Sequence, residues 1–432
     1  MNEQAYYPRR AGDALLLAFN RTPAVLLVGA RQTGKTTLTT RLTTGPPAGE
    51  FATLDDAATL SLARRDPDGF LETLGPRAVV DEVQRAPGLL PAIRSSILRD
   101  PKPGRFLLIA STSPLPLTRP PDWPRGLLEI VPLAPLSQGE IRRVREGFVD
   151  AVFTGDTSAL AATTGGVGSR GAESRDEVIA AALVGGYPRV QAFGFERRAA
   201  WFRSYVTTLL DRDVRDLAQV ADLAPMPQLL GLLAARSSGL LNAAGLSRDL
   251  GVANTSLRRY LGLLETAHLA IRVPAWTADL GRRMVKAPKL FLCDSGLMAH
   301  LALVTEERLA YDAGLAGPLL ETFAVMEVLK QAGWSRTRPT VSHFRTESGH
   351  EVDLVLESAD GAIVGVEVKA TASIGTADLR GLRTLRDLAG RRFRRGVLLY
   401  LGRELERVDD RVWAAPLSSL WSPTRTKGER GA

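Results

Sequence analysis

The sequence predicts an α/β protein of several domains. At 432 residues, the chain is long enough for about three domains of ordinary size. Within residues 1–155, short apolar runs alternate with helical patterns, which favours a mostly parallel sheet with helices on both faces. Residues 177–309 show mainly helical periodicity, and residues 310–422 mix helical and alternating strand patterns. Residues 156–176 are poor in large apolar side chains and are predicted to be a flexible linker, and residues 423–432 a disordered tail.

Composition excludes several classes of protein. The chain is 45% hydrophobic and 24% charged, which is ordinary for a soluble globular protein. No apolar run approaches the roughly 18 residues that a membrane span needs. Residues 1–10 lack an apolar signal core, so the predicted location is the cytoplasm. Cys293 is the only cysteine, which excludes an internal disulfide and a zinc site built from several cysteines.

The charge balance is basic, at +8 with a pI near 9.8, which is compatible with a nucleic-acid partner. Only seven of the 55 basic residues are lysine. This skew is typical of a coding bias, which spreads arginine throughout the chain. The positions that keep lysine are therefore more informative than the positions that hold arginine.

The most specific motif is a glycine-rich turn between a predicted strand, Ala24–Val28, and a predicted helix over residues 35–42. Residues 29–36, Gly-Ala-Arg-Gln-Thr-Gly-Lys-Thr, match the phosphate-binding pattern G-x-x-x-x-G-K-S/T without a departure. The glycines let the backbone curl so that N–H groups point at phosphate oxygens. Lys35 is predicted to be catalytic at the β- and γ-phosphates of ATP, and the Thr36 hydroxyl to bind Mg²⁺. The predicted ATP-binding residues are Gly29, Ala30, Arg31, Gln32, Thr33, Gly34, Lys35, Thr36 and Thr37.

A second predicted strand, residues 78–80, ends in two acids. Asp81 is expected to hold Mg²⁺ through water, and Glu82 to polarise the attacking water, which would make the site hydrolytic. A third predicted strand, Phe106–Ala110, is followed by Ser111. The Ser111 side chain either senses the γ-phosphate or belongs to an ordinary exit from the strand into a loop. Arg125 is a candidate arginine finger for the nucleotide of a neighbouring subunit.

Residues 246–261 predict a helix, a tight turn and a second helix. Gly251 is expected to close the first helix, and Asn254 or Thr255 to cap the second. Ser256, Arg258 and Arg259 then lie on the exposed face, as groove-reading residues do. Both DNA contact and a winged-helix-like packing or adaptor module remain open.

Near the C-terminus, a predicted strand with Asp353 precedes a second one with Glu367 and Lys369. Residues two apart on a strand share a face, so Glu367 and Lys369 project together and Asp353 can join them from the adjacent strand. Glu321 lies upstream on a predicted helix, residues 319–331. This is the arrangement of PD-(D/E)xK nucleases. Glu321, Asp353 and Glu367 are the predicted ligands of a second Mg²⁺ or Mn²⁺, and Asp353, Glu367 and Lys369 the predicted catalytic residues.

Together these residues resemble a prokaryotic family of AAA-type P-loop ATPases joined to a C-terminal domain of unknown function with a nuclease-like fold. The resemblance implies ATP binding, a catalytic glutamate at Glu82 and assembly into homo-oligomers. The stretches that carry it are residues 29–36, 79–84, 185–188, 211–217, 246–261, 286–297, 351–353 and 367–369.

Three functions are compatible with the sequence. The first is an ATP-dependent enzyme that acts on DNA or RNA and cuts with Asp353, Glu367 and Lys369. The second is a signalling or scaffold ATPase whose C-terminal domain binds partners without cutting. The third is a DNA-binding regulator that works through the helix bearing Ser256 and Arg259.

Overall fold

The fold was analysed in a computed structural model of the chain. The structure describes residues 6–43, 49–112, 123–124, 126–154, 172–215, 223–279 and 286–422. Arg125, the tail 423–432 and most of the predicted linker lie outside the described residues. Among the described residues, no helix has the length and apolar character needed to cross a bilayer.

The N-terminal region contains a five-stranded parallel sheet, as the alternation of apolar runs and helices predicts. Its strands are β1 (Ala24–Val28), β2 (Glu50–Thr53), β3 (Ala78–Asp81), β4 (Phe106–Ala110) and β5 (Leu128–Pro132), in the order β2-β3-β4-β1-β5. Its helices are α1 (Ala11–Phe19), α2 (Lys35–Thr43), α3 (Ala57–Arg65), α4 (Pro67–Thr73) and α5 (Leu89–Arg99). One face of the sheet packs against α1 and α2, and the other against α3, α4 and α5. The carboxyl ends of β1, β3 and β4 lie at one edge, where ligands bind in open parallel sheets.

The middle region is mainly helical. Its helices are α6 (Gln138–Arg142), α7 (Phe148–Phe153), α8 (Arg175–Val184), α9 (Phe195–Thr208), α10 (Met226–Ala235), α11 (Ala243–Leu250), α12 (Asn254–Thr266), α13 (Ser295–Leu301) and α14 (Glu306–Tyr311). Helix α9 continues into a π-helical stretch, Leu209–Val214. An antiparallel pair, β6 (Ala270–Val273) and β7 (Lys289–Leu292), lies between α12 and α13.

The predicted helix-turn-helix corresponds to α11 and α12. Gly251 closes α11 with a left-handed φ of 66°, as expected. The expected side-chain cap at Asn254 or Thr255 is wrong, because α12 already begins at Asn254 and its capping position is Ala253, which has no capping side chain. Arg258 and Arg259 are exposed and Ser256 is half-buried, while Leu257 is buried.

The C-terminal region is built on a six-stranded mixed sheet. Its strands are β8 (Thr340–Arg345), β9 (Glu351–Glu357), β10 (Ile363–Val368), β11 (Phe393–Tyr400), β12 (Glu406–Arg407) and β13 (Val412–Pro416), in the order β12-β13-β11-β10-β9-β8. Helix α15 (Ala316–Trp334) packs on one face and helix α16 (Arg380–Ala389) on the other. The face under α15 shares one continuous core with the middle helices, so these two regions are packed as a unit.

Candidate functional site

The glycine-rich turn lies between β1 and α2 in the conformation that phosphate loops need. Gln32 and Gly34 adopt left-handed φ values of 63° and 94°. A Cβ atom at Gly29 would lie 2.1 Å from the carbonyl oxygen of Leu133, so only glycine fits there. The close approach of the Leu133 backbone to Gly29 and the left-handed conformations of Gln32 and Gly34 together determine the shape of the loop.

Arg9 supports the loop from the preceding segment. Its Nη1 donates to the carbonyl oxygen of Thr33 at 2.6 Å, and its Nη2 donates to that of Ala134 at 2.6 Å. Its Nε lies 3.2 Å from Glu140 Oε2. The Arg9 guanidinium therefore connects the loop to the segment after β5. Because the Arg9 side chain is only 5% exposed, it has little room to move.

Lys35 is buried at the start of α2. Its Nζ donates to the carbonyl oxygens of Gly29 and Ala30 at 2.8 and 3.0 Å. Burial lowers the pKa of Lys35 to about 8, against the opposing charges of Glu82 and Asp81. The ammonium is therefore held inside the loop, close to the protonation equilibrium, with weak carbonyl partners that a phosphate can replace.

Thr36 and Asp81 meet at the edge of the sheet. The Thr36 hydroxyl donates to Asp81 Oδ2 at 2.8 Å, although the two residues come from α2 and β3. Burial raises the pKa of Asp81, while its hydrogen bond with Thr36 lowers it. A hydroxyl and a carboxylate oxygen at this separation are hard oxygen donors suited to Mg²⁺.

Glu82 adopts a left-handed φ of 58°, which turns its side chain away from the strand direction. Its Oε1 accepts a hydrogen bond from the Ser111 hydroxyl at 2.7 Å, and its Oε2 accepts from Gln84 Nε2. A left-handed glutamate is strained, and such strain concentrates at functional sites. Ser111, the candidate γ-phosphate sensor, is thus directly linked to the candidate catalytic glutamate.

These side chains line a cavity of about 480 Å³. Its walls include the loop from Arg31 to Thr37, both acids after β3, and Ser111. Tyr6, Pro188 and Arg189 also line it, so segments outside the sheet complete the wall. A more apolar cavity of about 540 Å³ lies behind Gly29, but it contains neither Lys35 nor the acid pair.

Hydrogen bonds connect the middle region to the nucleotide site. Arg31 Nη1 donates to Asp213 Oδ1 at 2.7 Å, from the loop to the π-helical stretch. The backbone N–H of Leu136 donates to the carbonyl oxygen of Gly186 at 2.7 Å, and the N–H of Gly186 donates to Asp294 Oδ2 at 2.6 Å. The motif at residues 185–188 and the helix cap of α13 thus lie directly behind the loop.

A second cluster of charged side chains is buried in the C-terminal region. Asp353 on β9 and Glu367 on β10 are each 3% exposed, and the Lys369 ammonium donates to Glu367 Oε1 at 2.7 Å. Asp353 Oδ2 accepts from the backbone N–H of Val368 at 2.9 Å. The sheet therefore brings Asp353, Glu367 and Lys369 together, with Glu321 approaching from α15.

The centre of this cluster is held by Lys289, which the sequence analysis did not assign to it. Lys289 Nζ donates to Glu321 Oε1 at 2.6 Å and to Asp353 Oδ1 at 2.8 Å. Burial alone would lower the pKa of Lys289, but Asp353 and Glu321 outweigh it and raise that pKa. Burial and the charge of Asp353 raise the pKa of Glu321 to about 8, and the same causes raise the pKa of Glu367 well above its usual range.

The donor set at this cluster does not fit a second divalent ion. Among the described residues, no group of three or more His, Cys, Asp or Glu side chains gathers closely enough to hold a metal. The Lys289 ammonium lies between two of the three predicted ligands, Glu321 and Asp353, and provides the positive charge there. The predicted Mg²⁺ or Mn²⁺ site at Glu321, Asp353 and Glu367 is therefore not supported by this arrangement.

Three contributors to the two clusters were missed from the sequence: Lys289, Asp213 and Arg9. Lys289 carried a usable signal, since it is one of only seven lysines in an arginine-rich chain. Asp213 lies in residues 211–217, a stretch that carries the family resemblance without indicating a role for this aspartate. Arg9 carried no signal, because arginine is abundant throughout the sequence.

Comparisons with known proteins support an ATPase assignment for the N-terminal region. Residues 21–142 match the family described as AAA domain. Residues 175–308 match a domain of unknown function (DUF8612), and residues 316–420 match another domain of unknown function (DUF4143). The N-terminal region is therefore an AAA-type ATPase domain, and its family uses ATP.

Two solved structures show distant likeness. One is the Signal Transduction ATPase with Numerous Domains protein with a tetratricopeptide repeat sensor from Pyrococcus horikoshii, at TM-score 0.26 and 11% identity. The match covers 76% of this chain and 47% of that one. The other is the complex of McrB AAA+ hexamers with bound McrC from Thermococcus gammatolerans, at TM-score 0.21 and 10% identity, covering 67% of this chain and 74% of that one. Both scores are low, and no activity carries over from them.

Relatives match along almost the whole chain. An uncharacterized protein of Mycobacterium tuberculosis is 30% identical over 414 residues, which is 95% of this chain and 84% of the relative. An uncharacterized protein of Mycobacterium bovis matches with the same values. With an AAA domain followed by two domains of unknown function, the chain belongs to the same protein family as these two mycobacterial proteins.

Proposed function

We propose that this protein binds ATP with Mg²⁺ and hydrolyses it, and that its C-terminal domain binds partners without cutting nucleic acid. The observation that carries the first part is the Thr36–Asp81 hydrogen bond of 2.8 Å beside buried Lys35 and Glu82. Four side chains, from the start of α2 and the end of β3, converge on one cavity at the edge where parallel sheets bind ligands. The match of residues 21–142 to the AAA domain supports the same function.

Each side chain has a separate task in hydrolysis. Backbone N–H groups of the loop and the Lys35 ammonium bind the β- and γ-phosphates, once Lys35 leaves the carbonyls of Gly29 and Ala30. Thr36 and Asp81 would hold Mg²⁺, which supplies neutralising charge to the phosphate oxygens.

Glu82 is the proposed base. It accepts a proton from a water whose oxygen attacks the γ-phosphorus, while the bond to the β,γ-bridging oxygen breaks and leaves ADP and inorganic phosphate. In this structure both Glu82 oxygens accept hydrogen bonds, from Ser111 and Gln84. One of these bonds must open, or be shared with the water, before the proton can transfer.

Two variants test the ATPase. We expect Lys35→Ala to lose ATP binding, measured with a fluorescent ATP analogue. Glu82→Gln should bind ATP as wild type does but release phosphate about 100-fold more slowly. Glu72→Gln, at an exposed glutamate on α4, is the matched control and should change neither. Unaltered phosphate release by Glu82→Gln would refute the role of Glu82.

The second part of the proposal rests on Lys289. An internal ammonium bound to both Glu321 and Asp353 leaves the acids of the predicted nuclease site already paired. The alternative function, ATP-dependent cleavage of DNA or RNA by Asp353, Glu367 and Lys369, requires divalent chemistry that this arrangement does not favour.

Cleavage assays separate the two functions. Wild type and Lys369→Ala are incubated with plasmid, linear and single-stranded DNA and with RNA, with Mg²⁺ or Mn²⁺, with and without ATP. We expect no cutting by either protein. Cutting that Lys369→Ala abolishes would establish the nuclease instead. Wild type that binds DNA without cutting it would favour the DNA-binding regulator. In that case Arg258→Ala and Arg259→Ala, both on α12, should each weaken DNA binding.

We also propose self-association, on the resemblance to ring-forming ATPases. Arg125 is then the candidate residue for reaching a neighbour's nucleotide. Size-exclusion chromatography with light scattering tests this, using the Glu82→Gln variant with and without ATP. A monomer under both conditions would exclude a role for Arg125 at the nucleotide of a neighbouring subunit.

A further inference from the structure

An ion pair joins the phosphate loop to the middle region. Arg31 Nη1 donates to Asp213 Oδ1 at 2.7 Å, and their side chains are 17% and 7% exposed. Arg31 belongs to the loop after β1, whereas Asp213 belongs to the π-helical stretch Leu209–Val214 that continues α9. The pair therefore connects two regions that the chain order keeps 182 residues apart.

Burial of the Asp213 carboxylate in this position costs folding free energy. Its Oδ2 atom is buried and has no hydrogen-bond partner among the residues that the structure describes. Burial raises the pKa of Asp213, and the Arg31 charge only partly offsets this. An apolar residue would fill the same space without an unsatisfied acceptor, so packing alone does not explain an aspartate here. Such π-helical stretches are also frequent at functional sites.

Asp213 is the dominant partner of Arg31. Asp55 is the second acid nearby, but its Oδ2 is 3.9 Å from Arg31 Nη2 and its side chain is 40% exposed. Asp55 is also shared, since it accepts from Arg85 at 2.9 Å and from Arg212. The buried, short bond to Asp213 therefore determines where the Arg31 guanidinium lies.

That position faces the nucleotide cavity. Arg31 lines it together with Lys35, Glu82 and Ser111. A guanidinium has five N–H donors in a planar fork, so one edge can bind Asp213 while another binds a second anion. An arginine that contacts the terminal phosphate stabilises the charge of the transition state, whether it comes from the same chain or from a neighbour.

Building on the ATPase function proposed above, we propose that Arg31 donates to the terminal phosphate of ATP within its own chain and that Asp213 is the positioning residue that holds it there. The middle region then takes part in hydrolysis through Asp213. Loss of the terminal phosphate changes the charge opposite Asp213, so the π-helical stretch responds to the nucleotide state.

The test compares ATP with ADP, which lacks the terminal phosphate. We expect Arg31→Ala to weaken ATP binding by about 10- to 100-fold while ADP affinity stays within about twofold of wild type. Arg31→Lys keeps the charge but loses the fork, and should recover only part of the ATP affinity. Unchanged ADP binding also shows that each variant retains a folded loop. Equal loss for ATP and ADP would overturn the role of Arg31.

The positioning role is tested by Asp213→Asn, with Asp211→Asn as the matched control. Asp211 is on the same stretch, but its side chain is 66% exposed and its Oδ1 lies 3.9 Å from Arg215 Nη2. We expect Asp213→Asn to weaken ATP binding less than Arg31→Ala does, to leave ADP affinity within about twofold of wild type and to lower kcat about tenfold, and Asp213→Glu to recover part of these losses. If Asp213→Asn behaves like Asp211→Asn, the positioning role is wrong. A wild type that binds no nucleotide would instead refute the ATPase function itself.

Discussion

Lys289 Nζ lies 2.8 Å from Asp353 Oδ1, which the sequence predicts to be a ligand of a second metal ion. The lysine belongs to β7 of the middle region and the aspartate to β9 of the C-terminal sheet. Because both side chains are almost fully buried, the pair is shielded from solvent and from salt. A lysine of the middle region thus supplies the positive charge beside the buried acids of the C-terminal region.

Replacement of this lysine should lower the stability of the protein. Lys289→Met leaves Glu321 and Asp353 without the ammonium that both contact, and removal of one partner from a buried pair costs about 3–5 kcal/mol. We expect a lower melting temperature for Lys289→Met, measured by thermal denaturation. Lys102→Met is the control, since Lys102 is 78% exposed. A melting temperature of Lys289→Met equal to that of wild type would contradict the assignment of Lys289 to the buried cluster.

ATP affinity should depend on pH through Lys35. Below pH 8 the buried ammonium is charged, and as pH rises through its pKa of about 8 it loses the proton that phosphates require. Bound phosphate favours the charged form, so binding above pH 8 takes up a proton. We expect affinity to be level below pH 8 and to fall by up to about tenfold per pH unit above it. Titrations of a fluorescent ATP analogue at pH 7, 8 and 9 measure this, and equal affinities at all three would contradict it.

The Mg²⁺ requirement should depend on Thr36. Thr36→Ala removes the hydroxyl that contacts Asp81, so half-maximal hydrolysis should need about tenfold more Mg²⁺. Thr40→Ala, one turn further along α2, is the control because Thr40 is exposed and outside the cavity. The measurement is phosphate release against Mg²⁺ concentration at fixed ATP. Identical Mg²⁺ curves for Thr36→Ala and wild type would exclude Thr36 as a ligand.

The single thiol should be inert in the folded protein. Burial raises the pKa of Cys293 to about 12, so the reactive thiolate is scarce at neutral pH. Its sulfur lies 3.6 Å from the Tyr187 hydroxyl inside the core. We expect a coloured disulfide reagent to label the protein only as urea unfolds the middle region. Rapid labelling without denaturant would show that this core opens under native conditions.

The nucleotide site was predictable because its information is local. A motif of eight consecutive residues specifies a strand, a turn and a helix, and the parallel sheet then brings Asp81 and Ser111 to the same edge. The strand bounds at Ala24–Val28 and Phe106–Ala110 followed from uninterrupted apolar runs, which are typical of buried parallel strands.

The contacts between regions were not predictable in the same way. Lys289 reaches Asp353 only because β7 packs beside the C-terminal sheet, and Arg31 reaches Asp213 only because α9 extends into a π-helical stretch. No spacing in the sequence encodes either approach. The cap of α12 was missed for a smaller reason: Ala253 has no side-chain acceptor, so no capping signal in the sequence marks the start of the helix.

Helix α15 provides the last link between the regions. Glu327 on this helix accepts from the backbone N–H of Gln138 at 2.8 Å, and the neighbouring Lys330 donates to the carbonyl oxygen of Leu136 at 2.8 Å. These buried charges complete hydrogen bonds for the segment that leaves the N-terminal sheet. Severing the polypeptide between the ATPase and the C-terminal sheet would therefore leave the Gln138 N–H and the Leu136 carbonyl without these partners, so the two halves are expected to be obtainable only as a co-expressed pair and not as separate, stable fragments.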